Sequence, residues 1–149
     1  MKRIFKIIII AIALTLASIA SVIAYAVVYG PEFNASSKEF INSNLPKLAA
    51  ENFSGASNWY QDNSSCTSSG SQSVSEKLNN KLGIFKSITS TDGSFELKLF
   101  PYSVSANYVV GMAYEKSSAV AHVKVVRNGG KWKFNSISIE SMVFCKNGG

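Results

Sequence analysis

Residues 108–125 read YVVGMAYEKSSAVAHVKV, and this stretch decides the fold of the chain. Apolar side chains recur at every second position on either side of the polar segment 115–118, and a period of two is typical of β-strands. The stretch therefore predicts two antiparallel strands joined by a tight turn. One shared face carries Tyr108, Val110, Met112, Tyr114, Ala119, Ala121, Val123 and Val125, and the reverse face carries His122 and Lys124.

The residues before this stretch predict further strands. Residues 84–88 form an apolar-rich run, and apolar residues alternate with charged ones over 95–99. Between the two runs lies Thr91-Asp92-Gly93, and an Asp-Gly pair is a strong hairpin signal. We therefore expect a hairpin turn at residues 91–93, with Pro101 ending the second of these strands.

The last predicted strand follows a turn at Asn128-Gly129-Gly130. Its apolar residues form two pairs of opposite parity, Trp132 with Phe134 and Ile137 with Ile139. A shift of one residue moves a side chain to the other face of a strand. A β-bulge near Asn135 or Ser136 is therefore needed to keep all four side chains inside.

A first helix is predicted before the strands. Ser36-Ser37-Lys38-Glu39 is a capping box, so we expect a helix over residues 36–53 that begins there. Gly55 is expected to end it. Because Pro46 lacks an N–H group and lies inside this pattern, the helix should be kinked or split near Asn44.

A second, shorter helix is predicted from another capping box, Ser73-Val74-Ser75-Glu76. It should end at Gly83 and bury Leu78 and Leu82. Helices followed by strands, without βαβ alternation, indicate an α+β domain. We expect the helices to pack on one face of a four- to five-stranded antiparallel meander.

The N-terminal segment predicts a membrane anchor. Lys2, Arg3 and Lys6 precede 23 uncharged residues, 7–29. At ~1.5 Å per residue, a helix over them reaches roughly 35 Å, enough to cross a hydrocarbon core of ~30 Å. Basic residues favour the cytoplasmic side. We therefore expect a cytoplasmic basic tail over residues 1–6, a single transmembrane helix over 7–29 in the lipid bilayer, a linker over 30–35, and an extracytoplasmic domain over 36–149 in the periplasm or extracellular space.

A cleaved signal peptide is the alternative interpretation of this segment. Signal peptides have a shorter apolar core and a small-residue cleavage site, and Ala24-Tyr25-Ala26 would serve as such a site. Against cleavage, Val27 and Val28 continue the apolar run past it. We therefore expect the segment to remain uncleaved as a membrane anchor.

The charge balance gives no reason to expect a nucleic-acid partner. The formal net charge is +6, but Lys2, Arg3 and Lys6 supply three of these charges. Residues 30–149 carry 12 Lys and Arg against 9 Asp and Glu, a mild excess of +3. The basic character of the chain therefore reflects the tail next to the predicted anchor rather than a nucleic-acid-binding surface.

Cys66 and Cys145 are the two cysteines of the chain. An even number of cysteines in an oxidising compartment indicates a disulfide, so we expect these two to be bonded. A catalytic or metal-binding thiol pair would need close spacing or a partnered base, and the sequence contains neither.

The sequence predicts no catalytic, cofactor-binding or metal site. His122 is the single histidine, the acidic residues are scattered, and no nucleophile, phosphate-loop or calcium-loop motif occurs. Tyr102, Tyr108, Tyr114 and His122 could line the mouth of a pocket. We expect instead that Tyr108 and Tyr114 are half-buried strand aromatics.

The layout of the chain resembles known small domains. The apolar N-terminal segment, the leading helix, Lys81-Leu82-Gly83-Ile84 and the Gly-Gly-Lys-Trp order at residues 129–132 are similar to those of membrane-anchored cystatin-like and nuclear-transport-factor-like domains. The nearest layout is that of the cytochrome oxidase assembly factor family. This resemblance implies a cystatin-like fold behind one transmembrane helix, and assembly rather than catalysis.

Two functional hypotheses follow. The first is a non-enzymatic, membrane-anchored interaction module, an assembly factor or secretion-complex component whose partner is a membrane or envelope protein. The second is a small-ligand-binding or enzymatic cone-shaped domain with an aromatic-lined pocket. The space between the helix over 36–53 and the sheet distinguishes them, because ligand binding there needs a cavity of several hundred cubic ångströms.

Overall fold

The computed structural model describes residues 2–54, 74–99 and 102–145. Its elements are α1 (Lys2–Ala50), α2 (Val74–Leu82), β1 (Phe85–Leu99), β2 (Tyr102–Tyr114), β3 (Ser118–Asn128), β4 (Lys131–Glu140) and α3 (Met142–Cys145). The chain divides into two compact units, Met1–Phe33 and Asn34–Gly149. The class is α+β, with a long apolar helix at the N-terminus and one antiparallel sheet.

The first unit is helical and apolar. Most of its large aliphatic side chains are exposed, from 50% at Ile8 to 69% at Val27, whereas Phe33 at its end is buried. Among the residues that the structure describes, this is the one helix long and apolar enough to cross a membrane. Near its end the aromatic rings of Tyr25 and Tyr29 lie 4.6 Å apart between centroids, as their spacing of one helical turn allows.

α1 continues through residues 30–35, where the sequence predicts a linker, and through Ser36, where it predicts a helix start. Ser36 and Ser37 therefore lie inside the helix and their hydroxyls bond the sheet. The hydroxyl of Ser36 accepts a hydrogen bond from Nε1 of Trp132 at 3.0 Å, and Ser37 bonds the hydroxyl of Tyr108. The boundary between the two units falls between Phe33 and Asn34.

α1 also continues through Pro46, so of the kink or split expected near Asn44 the split does not occur. The helix ends at Ala50, earlier than predicted, and Gly55 lies outside the described residues. The turn that follows contains two left-handed residues, Asn52 (φ 50°) and Phe53 (φ 57°). The N–H of Phe53 donates to the carbonyl oxygen of Leu48 at 2.7 Å, which satisfies one of the last helical carbonyls.

The four strands form a sheet in the order β1-β2-β3-β4, all neighbours antiparallel, so the predicted meander is confirmed. The hairpin predicted at residues 91–93 is wrong. β1 runs straight through this segment, with Asp92 opposite Val109 and Gly93 opposite Tyr108 of β2. The sheet of the described residues therefore has four strands and no fifth, because fifteen continuous residues replace the two short strands that were expected.

The predicted faces of β2 and β3 are confirmed. All eight side chains assigned to the shared face are at most 6% exposed, whereas His122 on the reverse face is exposed. The β-bulge in β4 is also confirmed, because Ser136 pairs with Lys124 and Phe134 pairs with Val125, leaving Asn135 as the extra residue. Ile137 and Ile139 are buried as a result, and Trp132 and Phe134 pack against the same core as half-buried residues.

The core of the second unit lies between the C-terminal part of α1 and the inner face of the sheet, the face that carries Tyr108 and Val110. Ile41, Leu45 and Ala49 of α1 are fully buried in it. α2 contributes Leu78 and Leu82, at 1% and 0% exposure, which confirms their predicted burial. α2 ends at Leu82, and the φ of 78° at Gly83 suits the left-handed position after a helix.

Candidate functional site: the outer face of the sheet

Polar side chains fasten α1 to the inner face of the sheet. The hydroxyl of Tyr108 lies 2.8 Å from the hydroxyl of Ser37 and 2.8 Å from Oδ1 of Asn34, to which it donates. Nearby, the hydroxyl of Thr91 donates to Oδ1 of Asn42 at 2.8 Å. Ser37 is fully buried and Tyr108 is 2% exposed, so these groups serve each other rather than a ligand.

The four residues considered as a pocket mouth do not come together. Tyr108 and Tyr114 are buried on the inner face, at 2% and 6% exposure, and Tyr102 at the start of β2 is 62% exposed. His122 lies on the opposite side of the sheet. Tyr108 and Tyr114 are therefore strand aromatics of the core, as expected, and they are buried rather than half-buried.

The outer face of the sheet, opposite the core, carries a small apolar centre. Val109 of β2 and Val120 of β3 are 46% and 38% exposed there, and Gly111 pairs with Val120 across the two strands. Gly111 has no side chain, and the hydroxyl groups of Thr89 and Ser90 fill the space of a Cβ atom there, which would lie 2.5 and 2.8 Å from their oxygens. The two exposed valines therefore form a small apolar spot on this face.

Charged and polar side chains surround this apolar centre. Across the strands Asp92 pairs with Val109, Val109 with His122, and Val120 with Glu140, so the register places these three polar side chains around the valines. Nε2 of His122 lies 3.5 Å from Oε2 of Glu140, and both side chains are about half exposed. We call Val109, Gly111 and Val120, with Asp92, His122 and Glu140 around them, the outer patch.

A depression of about 330 Å³ adjoins the outer patch. Asp92, Ser94, Asn107, His122, Lys124 and Ser138 are among the residues that line it. It is open to solvent and offers hydroxyl, amide, carboxylate and cationic groups at the surface. Such groups can exchange hydrogen bonds with a partner, and the exposed His122–Glu140 pair is a weak interaction of the kind found at the rim of interfaces.

Sequence reasoning missed the outer patch, although a signal existed. Val109 and Val120 are apolar residues at positions of the polar parity, where a solvated strand face carries polar side chains. The convergence of Asp92 and Glu140 on them depends on the register of four strands. In particular it depends on the continuity of β1 through Gly93, which the expected hairpin would have abolished.

The predicted disulfide stays a prediction. Cys66 lies outside the described residues, and the side chain of Cys145 is not described. Cys145 ends α3, and α3 lies beside α2, with Nζ of Lys81 5.9 Å from the ring centroid of Phe144. Cys145 therefore lies in a helix beside α2, and α2 is the element that follows Cys66 in the sequence.

The described residues contain no group of three or more His, Cys, Asp or Glu side chains that could hold a metal ion. In the outer patch, Asp92 stands apart and His122 lies beside Glu140. No family model matches the chain, and no significant similarity to a curated protein or a solved structure was found.

Proposed function

We propose that this chain is a non-enzymatic, membrane-anchored interaction module. Its second unit works outside the cytosol and binds a membrane or envelope protein through the outer patch, as an assembly factor or secretion-complex component would. The observation that carries the proposal is an exposed apolar centre with a charged rim, in a chain that begins with a membrane-length apolar helix. Apolar centres within polar rims are the usual anatomy of protein interfaces.

The proposed orientation rests on the flanking charges. Lys2, Arg3 and Lys6 precede the apolar run, and the run itself is uncharged from Ile7 to Tyr29. Positive residues are retained on the cytoplasmic side of a membrane. The second unit then lies in the periplasm or extracellular space, and the outer patch is available to proteins of that compartment or of the membrane itself.

The packing of the second unit supports recognition over chemistry in an internal pocket. Ile41 and Leu45 of α1 meet Val110, Val125 and Ile137 of the sheet, and all five are fully buried. These side chains pack in the space between helix and sheet, where a cone-shaped pocket would need room. Burial of each such side chain contributes roughly 1.5–3 kcal/mol, so opening this space for a ligand would cost much of the stability of the domain.

A small polar ligand in the outer depression is the second candidate. The volume of about 330 Å³ lies at the lower end of the ~300–1,000 Å³ of ligand sites. Lys124, His122 and the serines of β4 would supply the hydrogen bonds. The protein partner and the small ligand would bind at the same part of the outer face and differ in size, so one experiment tests both.

The test is site-specific photocrosslinking in native membranes. A benzoylphenylalanine at Val120 should form a discrete protein adduct, because this residue is exposed at the centre of the outer patch. The matched control carries the same group at Ser43, an exposed residue of α1 in the same unit. The adduct should disappear when Val109→Asp is added, because a charge at the apolar centre must be desolvated on binding.

Equal adducts at Val120 and Ser43 would mean non-specific proximity and contradict the proposal. A missing protein adduct, combined with protection of Lys124 from amine labelling by a small molecule of the native extract, would favour the ligand candidate. Circular dichroism of the variants verifies that the fold is retained.

A further inference from the structure

β1 is an edge strand with a long regular segment. Among the strands that the structure describes it has one neighbour, β2. Its two register shifts fall between Phe85 and Ser90, so residues 91–99 pair with β2 without interruption. A long, regular edge exposes a row of backbone donors and acceptors, and such edges pair with further strands unless they are protected.

Within the part of the chain that the structure describes, the edge at β4 has protective features that residues 91–99 of β1 lack. β4 contains the bulge at Asn135 in its middle and two exposed lysines, Lys131 and Lys133, at its start. Bulges and lysines are the devices by which edge strands avoid pairing. Residues 91–99 of β1 contain no bulge and no proline, and their single lysine, Lys98, stands among acidic residues.

The segment 91–99 is complementary to itself in the antiparallel direction. When Phe95 faces its own copy, Asp92 of one chain faces Lys98 of the other, and Ser94 faces Glu96. Asp92, Ser94, Glu96 and Lys98 all lie on the outer side, because their partners in β2 are Val109, Asn107, Ser105 and Ser103. The charge pairs of two copies would therefore meet on one face of a joined sheet.

The charges select this register among its neighbours. A shift that centres the pairing on Glu96 places two carboxylates directly opposite each other, which destabilises a strand pair. With Phe95 at the centre, each Lys98 meets Asp92 of the second copy while keeping Glu96 of its own chain at 3.7 Å. Two opposite-charge pairs form per dimer, and no like charges face each other.

We propose that residues 91–99 of β1 pair antiparallel with the same residues of a second copy, which joins two four-stranded sheets into one of eight strands. The partner at this edge is thus the chain itself, and the contact is isologous with a two-fold axis at Phe95. This inference goes beyond the proposed function, since it uses the edge of the sheet and shares only Asp92 with the outer patch. Both outer patches then face the same side of the joined sheet, as two sites for a partner protein.

Charge reversal tests the proposal in the full-length chain in detergent micelles. Asp92→Lys and Lys98→Asp each place like charges opposite each other twice, so each should weaken self-association about threefold to tenfold in sedimentation. The double variant Asp92→Lys/Lys98→Asp restores opposite charges and should recover most of the dimer. Lys133→Asp on β4 is the matched control and should leave the dimer constant unchanged.

A second variant locates the contact. Benzoylphenylalanine at Phe95 should give a covalent dimer on irradiation, because this position faces its own copy across the axis. The same group at Phe134, a half-buried inner-face aromatic of β4, should give none.

A monomeric chain would overturn the proposal. So would a dimer that survives both single reversals, which is the result expected if membrane helices alone hold it. Neither result bears on the Val120 adduct, so failure here is distinct from failure of the proposed function.

Discussion

Gly93 of β1 lies directly opposite Tyr108 of β2, and a Cβ atom at Gly93 would lie 2.7 Å from Cδ1 of the tyrosine ring and 2.8 Å from its Cα. The missing side chain of Gly93 leaves the space that the Tyr108 ring occupies. From there the hydroxyl of Tyr108 reaches Asn34 and Ser37 of α1. A glycine that favours a turn in the sequence thus serves close packing in a continuous strand.

Gly93→Ala should destabilise the second unit. The new methyl group would meet backbone atoms, the carbonyl oxygen of Asn107 and Cα of Tyr108, which cannot move as a flexible side chain would. Overpacking of this kind costs about 1–3 kcal/mol in the free energy of unfolding. Denaturant unfolding of the full chain in detergent measures it.

Ser94→Ala provides the matched comparison for this change, since Ser94 is the next residue of β1 and is exposed. It should change the free energy of unfolding by no more than ~0.5 kcal/mol, as surface substitutions do. Equal stability of the Gly93 variant and the wild type would mean that β1 is not held this close to β2 at Tyr108.

Tyr108→Phe should also destabilise the fold while leaving the ring in place. The hydroxyl bonds the fully buried Ser37 and Oδ1 of Asn34, so its removal leaves the buried Ser37 hydroxyl with one partner fewer. The expected loss is about 1–2 kcal/mol. Tyr102→Phe, at a residue that is 62% exposed, removes the same atom and should change the free energy of unfolding by less than ~0.5 kcal/mol.

The sheet could be predicted from alternation to a large extent. The parity change between Phe134 and Ile137 required a bulge, and the bulge is present at Asn135. Parity is a strict constraint because a slip of one residue turns a whole strand face to solvent. The Asp-Gly turn signal failed because it is local, and the pairing of Asp92 with Val109 and of Gly93 with Tyr108 outweighs it in the folded chain.

Helix starts and the candidate site could not be predicted in the same way. A capping box indicates where a helix can begin. Here, however, Ser36 and Ser37 form hydrogen bonds with Trp132 and Tyr108, and the helix begins well before them. The outer patch joins residues from four strands, so its composition depends on register and not on any short motif. Only the exposed parity of Val109 and Val120 was visible in the sequence.

The cysteine prediction concerns stability alone. If Cys66 and Cys145 are bonded, the bond closes a loop of ~80 residues, and the chain-entropy model gives it roughly 4–5 kcal/mol. Cys66→Ser and Cys145→Ser should then lower the unfolding midpoint equally. The double variant should be no less stable than either single variant, because one bond is lost in all three. Mass measurement with and without reductant identifies the bond, and a free-thiol count of two in the untreated protein would contradict it.

The anchor prediction separates a membrane helix from a cleaved signal peptide. If residues 7–29 remain in the mature protein, the chain should stay in the membrane fraction after carbonate washing and begin at Met1. Ile8 and Val27 are exposed on the helix surface, the arrangement expected of a helix that faces lipid. Ala24→Leu with Ala26→Leu removes the small residues that a signal peptidase needs, so it should leave the mass of an uncleaved anchor unchanged apart from the substitutions. The opposite outcome is a soluble wild-type protein that begins near Val27, with cleavage blocked by these two substitutions. It would show that the segment is a signal peptide and that the second unit binds its partners without a membrane anchor.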